Sequence, residues 1–399
     1  MPDKMTQKGG RPQFYNSDTN TFSLMKSSIV LFKLSVVTTV ACALFAGCRN
    51  NTVITESGLT VINAPINEKV NPDSLPLRSR IFQRIDTVRL KSDVLEGYLN
   101  TIRDVKVTEE YIFVLTSDDD RMLVFDKEGW FVRQIGRKGR GHGEYINAQS
   151  FDILPEKEDI YICGQLADDI NIYSFSGEFK RKISPHCLAV DFAVKSDGHL
   201  LFFSEYGYDQ NDYQKGVFET DADGNFLKMI YTLPEYYGHF QNNDVFTHIS
   251  ADEIGCMGFE NENYIYHILG DSVYIPYKIN TDIVMDEKTL KEEQRYTSND
   301  ISYYKSMYHE SEKLITFSLL GIENIVRIYY DKINHCTYRS IDNSGVVIPV
   351  GEQFPPITSS FRGKWIRVHD VLNIRMIPEL RQAFPDITDE SNPVILIFQ

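Results

Sequence analysis

The sequence predicts an all-β protein: a six-bladed β-propeller of four-stranded blades, closed by an N-terminal strand and carrying small helical insertions. Three observations lead to this fold class. Tyr and Phe number 23 and 24 in 399 residues, and aromatic side chains favour strands over helices. A two-stranded hairpin motif recurs at about 47 residues, which is close to the period of propeller blades. An early strand at residues 82–90 has no partner near it in the sequence.

The hairpin repeat is the strongest of these observations. Three segments share the order strand, glycine turn, strand with alternating apolar positions: LVFDKEGWFVRQI at 123–135, NIYSFSGEFKRKI at 171–183 and VFETDADGNFLKMI at 217–230. This pattern is typical of a β-hairpin. The turn glycines, Gly129, Gly177 and Gly224, lie 48 and 47 residues apart. Upstream of the first two hairpins a second matched pair occurs at 102–116 and 150–164, which places Asp104 and Asp152 48 residues apart.

The remaining blades follow from the same unit. The third begins at 190–204, and later copies are assigned to 243–280, 312–345 and 357–399. A ring of blades has to close in order to remove its edges, so we expect the strand at 82–90 to complete the last blade. Residues 281–311 and 371–391 have partly helical patterns and are interpreted as insertions on the ring.

The N-terminal region is typical of an export signal. Lys26 and Lys33 precede an apolar stretch from Leu34 to Phe45, which has signal-peptide length and is too short to span a bilayer. The sequence LFAGC, ending at Cys48, resembles the lipobox of bacterial lipoproteins, although Phe45 stands where Leu is usual. This resemblance implies lipidation of Cys48 and a membrane contact through the lipid anchor only. Arg49 stands where an Asp would resemble an inner-membrane retention signal, so an outer-membrane position is expected, and the lack of an acidic run after Cys48 favours the periplasmic side over the surface. Translation from Met1 or from Met25 is left open.

The predicted domain organisation has three parts. Residues 1–48 form an upstream extension with the signal peptide, 49–79 a polar tether with little fixed structure, and 80–399 the propeller. Four cysteines remain in the mature chain, Cys163, Cys187, Cys256 and Cys336, and are interpreted mostly as small buried residues, with any pairing left open. The formal net charge of −15 argues against nucleic acid as a partner, since phosphate binding requires basic surfaces.

A glycine-rich loop, GRKGRGHGEY at 136–145, follows the outer strand of one unit and precedes the inner strand of the next. It lacks the GK[ST] and the following helix of a phosphate-binding P-loop, so it is interpreted as a blade crossover. The pattern I-G-R-K-G-x-G-x-G-E-Y resembles the six-bladed β-propeller lipoproteins related to NHL-repeat proteins of Gram-negative gut anaerobes, over about residues 80–399. That family usually has Pro where this chain has His142. The resemblance implies an exported, membrane-tethered propeller, mostly without an assigned activity.

Candidate ligand-binding residues lie in this loop and in two tyrosine-rich segments, EYGYDQNDY at 205–213 and LPEYYGHF at 233–240. Arginine is a bidentate donor for acidic or sugar ligands, and exposed tyrosine offers a flat amphipathic surface. The alternative is a solvated turn and packing of inserts onto the ring. The candidates are Arg137, Lys138, Arg140, His142, Glu144, Tyr206, Tyr208, Tyr236 and Tyr237.

Catalytic and metal motifs are not found in the sequence. The segment starting at Asp221 resembles the first half of a calcium loop, but Thr232 stands where the bidentate Glu is required. No HExxH or GxSxG motif occurs, so no cofactor, metal or catalytic residue is predicted. The sequence favours a binding or scaffold propeller for a protein, peptide or glycan of the envelope. Two alternatives stay open: a lyase or hydrolase with a cluster of His, Asp or Glu at the central channel, and a purely structural component of an envelope complex.

Overall fold

The structure is a computed structural model of the 399-residue chain. It describes residues 53–54, 58–64, 82, 84–99, 101–164, 169–209, 214–233, 245–258, 263–281, 304–320, 324–343 and 358–399. The chain divides into two compact units, 1–46 and 47–399, and every described residue belongs to the second.

The second unit is a six-bladed β-propeller, as the sequence predicts. Two short strands, β1 (Val53–Ile54) and β2 (Thr60–Asn63), and the strand β3 (Ile85–Arg89) precede the first complete blade. Blade 1 contains β4 (Ile102–Val107), β5 (Tyr111–Thr116), β6 (Met122–Asp126) and β7 (Phe131–Ile135). Blade 2 contains β8 (Ser150–Leu154), β9 (Asp159–Cys163), β10 (Ile170–Ser174) and β11 (Phe179–Ile183). Blade 3 contains β12 (Asp191–Val194), β13 (Leu200–Ser204), β14 (Gly216–Thr220) and β15 (Phe226–Thr232).

The second half of the ring has less regular spacing in the sequence but the same strand order. Blade 4 contains β16 (Phe246–His248), β17 (Glu253–Met257), β18 (Tyr264–Leu269) and β19 (Ser272–Asn280). Blade 5 contains β20 (Tyr304–Glu310), β21 (Leu314–Leu320), β22 (Asn324–Asp331) and β23 (Cys336–Asn343). Blade 6 contains β24 (Ser359–Phe361), β25 (Lys364–His369) and β26 (Val394–Phe398), with β3 as its outer strand. The first strands of the six blades contact one another in chain order around the axis.

Ring closure follows the prediction. The early strand β3 pairs antiparallel with the C-terminal strand β26, with Thr87 opposite Leu396. Backbone bonds at both ends, Arg84 to Gln399 and Leu90 to Pro393, set this register. The first and last strands of the fold therefore share one blade, so the edges that an open ring would expose are paired.

Glycine turns account for the repeat seen in the sequence. The third and fourth strands of blades 1 to 3 are joined at Gly129, Gly177 and Gly224, whose φ angles are 87°, 92° and 91°. Only glycine adopts this backbone without strain, which explains why the turn glycine is the best-spaced residue of the repeat.

Part of the predicted tether is ordered. Strand β2 lies parallel to the outer strand of blade 4, with Ile62 opposite Ile279, and β1 pairs antiparallel with β2. Ile62 is fully buried in the core between blades 4 and 5. The expectation of little fixed structure throughout 49–79 is corrected at these positions, where pairing with the edge of blade 4 and burial of Ile62 and Ala64 hold the segment against the ring.

The predicted helical insertions are partly corrected. Residues 371–391 contain two short helices, α1 (Val371–Met376) and α2 (Pro378–Ala383), as expected. Residues 304–310 of the other segment instead form β20, the inner strand of blade 5. This strand carries His309 and Glu310, and both are buried with hydrogen-bond partners. Because several residues of this inner strand are polar, its sequence lacks the alternation of apolar and polar residues that identifies a strand.

The hydrophobic core lies between the blades. Six clusters of buried side chains each combine strands of two neighbouring blades, and residues such as Phe113, Ile153 and Tyr173 share one of them. The four cysteines are buried, and none of them forms a disulfide with another described residue. Burial raises the pKa of the Cys163 thiol to about 12, so this residue is protonated at neutral pH. Among the described residues, no helix is long and apolar enough to cross a membrane.

The antiparallel strand order gives the ring two different faces. One face carries the turns between the first and second and between the third and fourth strands of each blade, and we call it the hairpin face. The other carries the turns between the second and third strands and the crossovers between blades, and we call it the crossover face. Residues 117–121, 136–149 and 205–209 lie on the crossover face.

Candidate functional site

The glycine-rich loop is the crossover from blade 1 to blade 2, as predicted. It begins after Ile135 with Gly136 at a φ of 57° and folds back on itself through backbone bonds from Gly139 N to Tyr145 O (2.9 Å) and from Tyr145 N to Arg137 O (3.1 Å). Tyr173 of blade 2 donates its hydroxyl to Gly143 O at 3.0 Å. The loop is therefore a closed structure attached to the next blade.

The Glu144 carboxylate holds the loop closed. It accepts the Gly141 backbone N–H at 2.7 Å and the Arg137 guanidinium at 2.6 Å. These contacts, with the Gly141 bond as the largest cause, hold the pKa of Glu144 below its usual value. A Cβ added to Gly139 would lie 2.0 Å from Oε2 of this carboxylate. Arg137 and Glu144 therefore have a demonstrable structural role.

The three remaining loop candidates differ from one another. Lys138 donates to Asp120 at 2.9 Å, and the His142 ring makes an edge contact with Phe179 at a centroid distance of 4.9 Å. Arg140 is exposed, and no carboxylate of the described residues forms an ion pair with it. It is the loop cation that remains available for another molecule.

Arg140 borders a pocket of about 290 Å³ on the crossover face, between the loop and blade 2. Asp169 and Lys182 form an ion pair in its wall at 2.7 Å, and Asn171 donates to Glu144 O at 3.3 Å. Its lining combines polar groups of both charges with an apolar patch: Gly139, Arg140, Gly141, Glu144, Tyr145, Ile146, Asn147, Ile162, Gly164, Asp169, Asn171 and Lys182. The volume is near the lower end for ligand pockets, which suits one small polar group or one sugar ring.

Two of the four tyrosine candidates lie in the described part of the chain, and two lie outside it. Tyr206 and Tyr208 are partly buried on the crossover face of blade 3. Tyr208 contacts the rings of Phe218 and Phe226 at 6.0 and 5.3 Å, so packing accounts for its position. Tyr236, Tyr237 and Cys48 lie outside the described residues.

The ring axis contains a second polar cluster, which the sequence did not indicate. Three aspartates on inner strands, Asp104, Asp152 and Asp191, each accept the backbone N–H of the following residue. Each also bonds to another blade. Asp152 accepts Val194 N at 2.7 Å, Asp191 accepts Val245 N at 3.0 Å, and Asp104 accepts the Ser359 hydroxyl at 2.5 Å. These carboxylates connect neighbouring inner strands.

Cations and imidazoles complete the axial cluster. His248 Nε2 lies 2.7 Å from Asp152 Oδ2, and Lys106 Nζ lies 2.7 Å from Asp104 Oδ2. Burial by itself would raise the pKa of Asp152, but His248 and Lys106 outweigh it and hold that pKa below the usual value. The pKa of Lys106 is raised, since Asp104 and Asp152 outweigh the effect of its burial. Asp152 and Lys106 are therefore both charged at neutral pH, and each offsets the charge of the other.

Two hydrogen bonds between uncharged side chains and one ion pair lie beside the charged groups of the axial cluster. The Ser360 hydroxyl is 2.8 Å from Thr247 Oγ1 and 3.0 Å from His309 Nδ1. Burial lowers the pKa of His309 to about 4, so its ring is neutral. On the hairpin face, Arg362 makes a two-bond ion pair with Glu156 at 2.5 and 2.9 Å, which connects blades 6 and 2. The cluster is buried below this pair, with Asp152 1% and His248 5% exposed.

The signal for this cluster in the sequence is weak. The 48-residue spacing of Asp104 and Asp152 identifies them as equivalent positions of two blades. Lys106, His248 and His309 have no repeat partner in the sequence, and they meet only because the inner strands surround one axis.

A third cluster has the donor set of a metal site but already contains two lysines. Ligand atoms of Asp197, His199 and Glu219 in blade 3 lie within 4.8 Å of one another. Lys195 Nζ contacts Glu219 Oε1 at 2.5 Å, and Lys228 Nζ is 3.3 Å from its other oxygen. Burial would raise the pKa of Glu219, but Lys195, His199 and Lys228 hold it below the usual value. Two ammonium groups provide the positive charge that a metal ion would otherwise bring, so these residues do not fit a cation site.

Comparison with known proteins agrees with the fold. A protein of Bacteroides fragilis named as an exported protein has 19% sequence identity to this chain and a TM-score of 0.68, over 85% of this chain and 99% of that one. A member of the DUF4221 family from Bacteroides vulgatus has 9% identity and a TM-score of 0.47, over 82% and 98%. At 19% identity, the likeness to the Bacteroides fragilis protein concerns the fold alone.

No protein with a curated description matches the chain. Residues 60–399, from strand β2 through the last blade, match the family described as domain of unknown function DUF4934. The chain therefore belongs to the DUF4934 family, and its own fold is a six-bladed propeller.

Proposed function

We propose that this protein is an exported propeller, anchored to the envelope by a lipid on Cys48, that binds a protein, peptide or glycan partner on its crossover face. The signal-peptide pattern before Cys48 supports export, and so does the name of the similar Bacteroides fragilis protein. The preferred location is the periplasmic side of the outer membrane.

The guanidinium of Arg140, which lines the pocket and has no ion-pair partner among the described residues, carries the binding part of this proposal. The neighbouring loop cations Arg137 and Lys138 are held by Glu144 and Asp120. Arg140 is the loop cation without such a partner among the described residues, and it stands beside the Asp169–Lys182 pair. An arginine donates two parallel hydrogen bonds to a carboxylate or to adjacent hydroxyls. The ligand class is therefore a hydroxyl-rich or acidic group, such as a sugar ring or an acidic side chain.

A binding measurement with matched arginine variants tests this proposal. The mature chain, Arg140→Ala and Arg181→Ala are compared on a glycan array and in pull-downs from envelope extracts. Arg181 is a suitable control because it is likewise an exposed arginine, but it belongs to the outer strand of blade 2, does not line the pocket and pairs with Asp223 at the hairpin face. Loss of one charged, bidentate contact weakens binding by about tenfold or more. A partner that binds all three proteins equally contradicts the assigned site.

Envelope location is tested separately. Mass spectrometry of the membrane-extracted protein reports an acyl group on Cys48, and Cys48→Ser is expected to move the protein to the soluble fraction. Protease added to intact cells distinguishes surface from periplasmic exposure. Unacylated Cys48 contradicts the anchor and leaves the ligand proposal to be judged on the array.

A hydrolase or lyase is the second candidate, and one observation favours it. His248 bonds to Asp152 through Nε2, while its buried Nδ1 has no hydrogen-bond partner. A carboxylate-oriented imidazole with a free nitrogen is the usual form of a general base. Burial and the closing Arg362–Glu156 pair make this candidate the weaker one. Turnover that is lost in His248→Gln but retained in Arg140→Ala would favour it over binding.

A further inference from the structure

The backbone of residues 139–141 in the crossover loop is an anion site that the chain itself occupies, and we call it the loop nest. The Gly141 N–H donates to Glu144 Oε2 at 2.7 Å. This N–H is the largest influence that holds the pKa of Glu144 below its usual value, and the Arg140 N–H contributes in the same direction. Successive backbone N–H groups that converge on one group form an anion-binding concavity. Glu144 is thus an internal ligand, and it shows that the loop nest accepts a carboxylate.

The place of Glu144 in the loop nest is open to exchange with another carboxylate. Glu144 lines the pocket of about 290 Å³, and the Arg137 side chain that pairs with it is 77% exposed. An ion pair with so exposed a partner stabilises a fold only weakly. A second carboxylate in the same position would accept the same hydrogen bonds, so the loop can stay closed while Glu144 turns to solvent. A Cβ on Gly139 would exclude either carboxylate, since it would lie 2.0 Å from the present Oε2.

The charge balance of the pocket depends on Glu144. The lining contains two cations, Arg140 and Lys182, and two carboxylates, Glu144 and Asp169. Asp169 is held by Lys182 at 2.7 Å and by the Ser184 hydroxyl at 2.5 Å. Arg140 has no ion-pair partner within the described part of the chain. When Glu144 leaves the loop nest, one cation is in excess, and an anionic group is favoured in its place.

The rest of the lining suits one sugar ring. Ile162 and Ile146, the latter 63% exposed, provide an apolar wall for the C–H groups of a ring. The amide side chains of Asn147 and Asn171 line the same pocket and are suitable partners for ring hydroxyls. The pocket therefore combines a carboxylate site with polar and apolar walls at the size of a single ring.

We propose that this pocket binds a sugar acid, a hexuronate ring whose carboxylate replaces Glu144 in the loop nest while Arg140 donates to the same carboxylate. Glu144 is then an internal competitor that lowers the affinity of the pocket for anions. This inference rests on the binding function proposed above and narrows its ligand from a hydroxyl-rich or acidic group to an acidic sugar. An acidic peptide would bring the same carboxylate without the ring, and the experiment distinguishes the two.

Calorimetric titration with three small ligands tests the exchange. The mature protein, Glu144→Gln and Glu109→Gln are each titrated with glucuronate, with glucose, which lacks the carboxylate, and with glutamate, which lacks the ring. Glu144→Gln keeps an acceptor oxygen for the Gly141 N–H but loses the charge that competes with the ligand. Glu109 is the matched control, because it also pairs with a cation, Lys364 at 2.7 Å, but does not line the pocket.

The expected result is a glucuronate Kd about tenfold lower in Glu144→Gln than in the unmodified protein, and unchanged in Glu109→Gln. Glucose and glutamate are expected to bind at least about tenfold more weakly than glucuronate to all three proteins. This ranking in the unmodified protein needs no variant, so it tests the ligand class even if Glu144→Gln opens the loop.

Each outcome has a defined meaning. Tighter glucuronate binding in Glu144→Gln alone, together with the expected ranking of ligands, supports the proposal. Equal or weaker glucuronate binding in that variant overturns the exchange with Glu144, and glutamate binding as tightly as glucuronate overturns the sugar acid as ligand. Absence of glucuronate binding to all three proteins overturns this inference alone, because the array comparison of Arg140→Ala with Arg181→Ala judges the proposed function independently.

Discussion

Asp152 and His248 are joined side chain to side chain at 2.7 Å, although 96 residues separate them in the chain. Asp152 belongs to the inner strand of blade 2 and His248 to that of blade 4. The same carboxylate also accepts Val194 N of blade 3. One buried carboxylate thus connects three of the six blades at the axis.

Asp152→Asn is expected to lower the free energy of unfolding by about 3 kcal/mol, because a buried charge network loses its anion while Lys106 and His248 remain. The amide also presents a donor toward the Val194 N–H. Urea unfolding followed by near-ultraviolet circular dichroism measures this loss.

The matched control is Asp223→Asn, an exposed carboxylate that pairs with Arg181 on the hairpin face. We expect a change within about 0.5 kcal/mol there. Because the folded pKa of Asp152 is lowered, its contribution is present above the ordinary carboxyl pKa of 3.8 and is lost as the pH falls. Equal losses in both variants would show that the axial bonds do not matter for stability.

Closure of the ring by β3 gives a second prediction. Arg84 and Leu90 both donate their backbone N–H to the C-terminal segment. Hydrogen-bonded pairs alternate along an antiparallel ladder, so the backbone N–H groups of the even-numbered residues of β3 point toward β26. Asp86→Pro removes one of these bonds and is expected to cost about 3 kcal/mol of unfolding free energy.

Thr87→Pro is the control, since the N–H of Thr87 points away from β26 toward the open edge. Proline at such an edge position is tolerated better than in a ladder. Thermal unfolding of the two variants should place Asp86→Pro clearly below Thr87→Pro. The reverse order would contradict the register of the closing strand.

The pH dependence of stability depends on a charged quartet between blades 4 and 5, in which His267 and Glu310 are buried and Glu253 and Lys332 are partly exposed. His267 Nδ1 is 2.7 Å from Glu253, its Nε2 is 3.1 Å from Glu310, and Lys332 donates to Glu310 at 2.6 Å. Burial would lower the pKa of His267, but Glu310 and Glu253 outweigh it and raise that pKa above 6.5. The stabilisation is therefore fully present below pH 6.5 and is lost as the pH rises through the raised pKa.

His267→Gln should cost about 2 kcal/mol of unfolding free energy below pH 6.5, and the cost should shrink at higher pH. Denaturant titrations of both proteins between mildly acidic and alkaline pH measure this difference. His186→Gln is the control, because His186 is an exposed histidine in the crossover between blades 2 and 3. A cost for His267→Gln that does not change with pH would mean that the ring is neutral in the folded protein.

Two glycines of the crossover loop differ in the space around them. A Cβ on Gly139 would lie 2.0 Å from the Glu144 carboxylate, while one on Gly141 would approach it no closer than 3.0 Å. Gly139→Ala is expected to displace Glu144 and lower the melting temperature and any ligand binding more than Gly141→Ala does. Calorimetry and the array assay measure both effects. An equal response of the two variants would show that Glu144 is not held in place.

The parts of the fold that the sequence predicts correctly are those that depend on nearby residues and recur in every blade. Gly129, Gly177 and Gly224 require positive φ, so their spacing recorded the blade period directly. The prediction is wrong at two strands. Residues 304–310 form the polar strand β20 but were assigned to an insertion, and residues 60–63 form β2 but were assigned to a tether. In both cases distant partners, rather than the local pattern, stabilise the strand.

The candidate site shows the same division. Arg137, Lys138, Arg140, His142 and Glu144 were all visible in the loop, but their sequence does not reveal which of them have partners. Lys138 is held by Asp120, which is distant in sequence, whereas Arg140 is free of such a contact among the described residues. Lys106, His248 and His309 do not recur at the blade period, so the sequence gives no sign that they lie together.

By itself, the sequence determined the fold class, the number of blades, the closing strand and the position of the crossover loop, because turn glycines and alternating apolar residues act through their nearest neighbours. Only the tertiary structure decided which charges are paired and how the axis is filled. Those properties depend on side chains from different blades, which approach one another only when the ring has closed.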